Sequence, residues 1–117
     1  MQTQIKKKDT YKAGIDTLIH LRNQLMETLT SFNEKLSRED FDAIPFINAD
    51  GYHSKTIAYS IWHIFRIEDI VAHTLISENE QVFFSGNYQE RINSPIITTG
   101  NELVKEQIAD FSKQLNL

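Results

Sequence analysis

Between Ser54 and Ile76 the chain carries more apolar residues than one helix face can hold. At about 100° per residue, Ile57, Ile61, Ile64, Val71, Ala72 and Leu75 form one stripe, and His63, Ile67, Ile70 and Thr74 form a second, partly apolar stripe beside it. A helix with two apolar faces needs neighbours on both. That requirement points to a helical bundle with more partners than a simple hairpin supplies.

Neighbours are legible on either side. From Asp9 to Leu36, the residues Tyr11, Ile15, Leu18, Leu25, Met26, Leu29, Phe32 and Leu36 recur at spacings of three and four, as in an amphipathic helix. Asp16, His20, Asn23, Gln24 and Glu27 take its wet side. Further on, Thr99-Gly100-Asn101-Glu102 reads as a capping box, with Thr99 capping and Glu102 reaching back. The stripe Val104, Ile108, Phe111 and Leu115 follows it. Residues 37–53 contain Pro45 and Asp50-Gly51 and read as a turn-rich connection, packed over a bundle end by Phe41, Ile44, Phe46 and Ile47. A second connection, 78–98, is long enough to be lid-like or functional. No period-two alternation marks a sheet.

The expectation is therefore an all-α single domain over residues 1–117. It would hold three helices in a bundle-like arrangement, with Ser54 capping the second. A fourth helix is expected from sequence beyond Leu117 or from another chain, so the domain reads as C-terminally incomplete and as a homodimer.

Composition removes several functions. Twelve Lys and Arg against sixteen Asp and Glu leave a net charge of −4, the wrong sign for a protein that binds nucleic-acid phosphates. With no cysteine, disulfides, thiolate zinc sites and cysteine nucleophiles are excluded, and the cytoplasm is the expected compartment. No apolar run approaches the roughly 20 residues needed to cross a bilayer, so no membrane partner is expected. Four scattered glycines make no phosphate-cradling loop.

Histidine is what remains for chemistry. His63 and His73 lie ten residues apart on one helix, about 15 Å along its axis, and cannot share an ion. His20 falls on a polar helix face, and His53 precedes the second helix and reads as part of its cap. His73 shares a row with Trp62, Arg66 and Asp69 that reads as an outward ladder with an Arg66–Asp69 pair. His63 borders the second apolar stripe, where a histidine is either a hydrogen-bonded packing residue or a metal ligand. Arg22 and Glu68 also interrupt apolar stripes. Because an unpartnered buried charge is costly, they are expected to pair in the interior, with Glu68 as ligand or general base the alternative.

The stretch Thr56-Ile57-Ala58-Tyr59-Ser60-Ile61-Trp62-His63-Ile64-Phe65-Arg66-Ile67-Glu68-Asp69 resembles the second-helix signature of the DinB-like superfamily. That signature runs serine, apolar, tryptophan or polar, histidine, apolar, then an acidic residue a turn later. The preceding acidic-apolar-proline loop, Phe41 to Pro45, is in keeping, and the resemblance covers Phe41 to Ile76. It implies an up-down four-helix bundle, of which this chain would hold about three helices, often dimeric, with three histidines holding a divalent metal, typically nickel or zinc. His63 matches the histidine of the second helix. The other two come as a His-x-x-x-His pair on the last long helix, and this chain has no such pair.

The resemblance thus implies a metal-dependent enzyme of hydrolase or thiol-dependent transferase type in the complete protein, acting on a small molecule or thiol. No occupied three-histidine site is expected in these 117 residues. The alternative is a non-catalytic helical interaction or dimerisation domain with an incomplete metal site. The superfamily's name concerns expression on DNA damage and implies no DNA binding.

Overall fold

The computed structural model describes residues 8–50 and 54–117, and among them it contains six α-helices, one π-helical segment and no strand. The helices are α1 (Lys8–Lys35), α2 (Arg38–Phe41), α3 (Ile57–Asp69), α4 (Val82–Ser85), α5 (Tyr88–Arg91) and α6 (Glu106–Gln114), with a π-helix over Ile70–Ile76 directly continuing α3. The all-α expectation holds. The chain divides into two units, one ending at Leu36 and the other running from Ser37 to Leu117.

The first unit is essentially α1, within a residue of the span its periodicity predicts. Lys12 bridges to Asp16 one turn on at 2.7 Å. The hydroxyls of Thr17, Thr28 and Thr30 donate to the carbonyls of Ala13, Gln24 and Met26, which keeps mid-helix threonines from competing for other backbone groups.

The second unit has its core where α3 and α6 meet. Phe41, Ala58, Tyr59, Trp62, Phe83, Ile108, Phe111 and Leu115 are its buried apolar side chains. Trp62 and Phe111 sit edge-to-face at 4.6 Å, and each such buried aromatic contributes roughly 1.5–3 kcal/mol. The stripe Ile108, Phe111, Leu115 is buried as its spacing predicts, whereas Val104 lies before α6 and is exposed.

Three boundaries differ from expectation, each for a local reason. Thr56 caps α3 instead of Ser54, because its hydroxyl accepts the Tyr59 N–H at 3.1 Å and is held by Ser112 of α6. Helix α6 starts at Glu106 and not after Thr99. The Thr-Glu pair forms, but as a turn shifted by one residue: Thr98 accepts the Gly100 N–H and donates to Glu102. Gly100, at φ +80°, turns the backbone out of the helical path there. The connection over 37–50 contains α2, opened by a true capping box in which Ser37 and Asp40 exchange bonds. Helix α2 aims Arg38 at the end of α6, where its guanidinium donates to the carbonyls of Ser112 and Leu115 at 2.7 and 3.2 Å. A cation there satisfies orphan carbonyls and opposes the negative end of the helix dipole.

The largest correction concerns which face of α3 is inward. The row read as an outward ladder is the core face: Trp62 is 6% exposed and Arg66 only 3%. The apolar stripe expected inside is turned outward at Ile64, Val71 and Leu75, all exposed, and Ile67 of the second stripe is exposed as well. The long connection before α6 causes this reversal by folding over Trp62 and Arg66 and giving Arg66 the acceptors that water would otherwise supply. Glu68 and Arg22 are both exposed, so neither is the buried charge that the apolar-stripe argument made of it.

Candidate functional site around His63

Helix α3 presents Tyr59, His63 and Arg66 at helical spacing toward the segment Ile97–Gly100. The His63 ring is half-buried and stacks on Tyr59, with centroids 5.3 Å apart and planes 13° off parallel. Its Nδ1 lies 2.5 Å from the carbonyl oxygen of Thr99. A carbonyl only accepts, so Nδ1 carries the proton, and in the neutral ring Nε2 keeps the lone pair. The Tyr59 hydroxyl donates to the Gly100 carbonyl at 3.0 Å, and burial of the phenol raises its pKa above the ordinary value.

Arg66 is the most heavily engaged side chain of this face. Its Nε and Nη2 donate to the carbonyls of Thr98 and Ile97, Nη2 also reaches Gln81 Oε1, and Nη1 meets Asp69 at 3.2 Å. The guanidinium lies 4.0 Å from the centroid of the Phe83 ring. Burial lowers its pKa and Asp69 works against that, yet an arginine remains charged throughout the physiological range. Asp69 also accepts the backbone N–H groups of Val82 and Phe83, each at 2.8 Å. It thereby serves as a cap for α4 from a distant part of the chain, where Gln81 offers none. The pair expected on an outward ladder is instead the buried clasp of the connection.

Among the described residues of the same unit, His73 has partners of its own and does not join His63. His20 is exposed on α1. The Nδ1 of His73 bonds Asn79 Oδ1 at 2.8 Å, and its Nε2 is 3.7 Å from Asp69. His53, read from sequence as part of a helix cap, lies outside the described residues. Among the described residues no three His, Asp or Glu side chains are grouped to hold one metal ion. A cavity of about 340 Å³ lined by Ile44, Ser54, Lys105, Glu106 and Ala109 does not include His63. No helix of the described residues is long and apolar enough to cross a membrane.

Sequence reasoning singled out His63 but missed Arg66 and the four carbonyls of residues 97–100. Backbone acceptors leave no mark in a sequence. The available signal was Gly100, the residue type that allows so close an approach: a Cβ there would stand 2.7 Å from Trp62 Cζ3 and 3.0 Å from Tyr59 Cε2. The chain matches no family model, no curated protein and no solved structure.

Proposed function

We propose that this chain belongs to a DinB-like, metal-dependent enzyme, in which His63 gives one imidazole to a divalent ion of the nickel or zinc type. The substrate class is a small molecule or a low-molecular-weight thiol. The observation that carries this reading is the Nδ1–H of His63 committed to the Thr99 carbonyl. Metal-bound histidines are held in that way, one nitrogen donating to a carbonyl or carboxylate and the other left as ligand. In this reading the other ligands come from outside the described residues, which bring no three such side chains together.

A specific observation favours a second reading, a helical interaction or dimerisation domain without catalysis. Ile64, Ile67, Val71, Leu75 and Ile76 are all exposed along α3 and the π-helix, and exposed apolar patches mark interfaces.

Competition between the full-length protein and a chromogenic chelator for nickel and for zinc separates the two. The enzyme reading expects stoichiometric binding that falls about 100-fold or more in His63→Ala, more than the loss of an outer partner costs. Wild-type affinity in that variant would leave His63 a packing residue and favour the interaction domain.

A further inference from the structure

Four successive carbonyls, those of Ile97, Thr98, Thr99 and Gly100, are engaged by three side chains of α3. Arg66 holds the first two, His63 the third and Tyr59 the fourth, and residues 59, 63 and 66 share one face of a helix. The tautomer of His63 is therefore decided by where this distant segment lies. Nothing within α3 fixes it.

Arg66 has the firmest grip on the segment. It is 3% exposed, spends two nitrogens on adjacent carbonyls, and is itself anchored by Asp69 and Gln81. A planar guanidinium pre-organised by such anchors sets the direction of the peptide units it binds. The carbonyl that follows those two is the one facing Nδ1 of His63.

We infer that Arg66 is a positioning residue for His63: by clasping Ile97 and Thr98 it fixes the Thr99 carbonyl opposite Nδ1, and this keeps Nε2 as the open donor nitrogen. Without the clasp the ring samples both tautomers, and part of the population presents an N–H where a ligand or base needs a lone pair. The tautomer claim stands on the geometry of residues 97–100 alone. Its bearing on metal affinity rests on the function proposed above.

Long-range ¹H–¹⁵N correlation of the full-length protein labelled at histidine nitrogens tests it, without metal. The wild-type His63 signal is expected to show a protonated Nδ1 and an unprotonated, pyridine-type Nε2. In Arg66→Gln the two nitrogens are expected to move toward the averaged shifts of an unconstrained imidazole. Arg66→Lys, which keeps a buried charge beside Asp69 but cannot fork to both carbonyls, is expected to fall between them and serves if the glutamine variant does not fold. A wild-type ring protonated on Nε2, or a folded lysine or glutamine variant with the wild-type pattern, would overturn the inference. A zinc titration of the same samples tests the metal reading separately, with about tenfold weaker binding expected in Arg66→Gln. A released tautomer with unchanged zinc affinity would uphold the positioning role and remove His63 from the metal.

Discussion

Asp69→Ala is the perturbation whose cost follows most directly from the structure. The Asp69 side chain is 13% exposed and meets the Arg66 guanidinium, which is 3% exposed, at 3.2 Å. Deleting one partner of a fully buried pair costs about 3–5 kcal/mol, because the other charge stays buried without compensation. Here Arg66 retains two carbonyls, the Gln81 amide oxygen and the Phe83 ring, which argues for the lower end, about 3 kcal/mol. The N–H groups of Val82 and Phe83 lose their acceptor too. Water can replace it at exposed Val82, while at Phe83, which is 5% exposed, the loss adds about 1 kcal/mol.

The total, about 4 kcal/mol, is a large part of the roughly 5–15 kcal/mol that holds a domain folded. It corresponds to a fall in melting temperature of roughly 15–30 °C for a unit of this size. Urea unfolding followed through Trp62, the chain's one tryptophan, reads the difference. Replacing both partners, as Arg66→Met with Asp69→Ala, removes the stranded charge and is expected to be no less stable than Asp69→Ala alone. A single variant within 1 kcal/mol of wild type, or fully additive losses in the double variant, would refute the buried-clasp argument.

Other expectations follow from the same core. In Thr56→Val the Tyr59 N–H loses its acceptor, and the Ser112 hydroxyl keeps its bond to the Ile108 carbonyl but loses its link to α3, for about 1–3 kcal/mol in urea unfolding. Thr56→Val and Ser112→Ala should then be less than additive, since they break one chain of bonds. Gly100→Ala forces a side chain into a left-handed conformation and against Trp62, which should cost about 3 kcal/mol and shift Trp62 fluorescence. Tyr59 is neutral and buried, with its folded pKa raised by desolvation. The stability tied to it is full below the ordinary phenol pKa and is lost as pH rises toward the raised value. Ultraviolet titration should show one tyrosine ionising after the others and together with unfolding, a late step absent in Tyr59→Phe.

Much of the fold is legible from periodicity, and the failures share a cause. The spacing from Tyr11 to Leu36 gives α1, and Ile108, Phe111 and Leu115 give the inner face of α6. The same counting assigned α3 the wrong inner face. It treats Arg66 and Asp69 as solvent-seeking, and cannot foresee a loop that brings carbonyls and backbone N–H groups to satisfy both. His63 is readable as a singular residue, but the acceptor on its Nδ1 comes from the backbone of Thr99, 36 residues on, and no side-chain pattern encodes it. The turn closed by Thr98 and Glu102 reads from the sequence as a capping box on Thr99, one residue too late. Gly100, which makes it a turn and not a helix start, was read only as part of that box.

The central claim, that His63 offers Nε2 to a divalent metal, is tested most directly by adding zinc to the full-length protein with ¹⁵N-labelled histidine. The Nε2 resonance of His63 is expected to leave its pyridine-type position at one equivalent of zinc, while Nδ1 stays protonated on the Thr99 carbonyl. Zinc binding that moves other histidines and leaves both His63 nitrogens unchanged would contradict it.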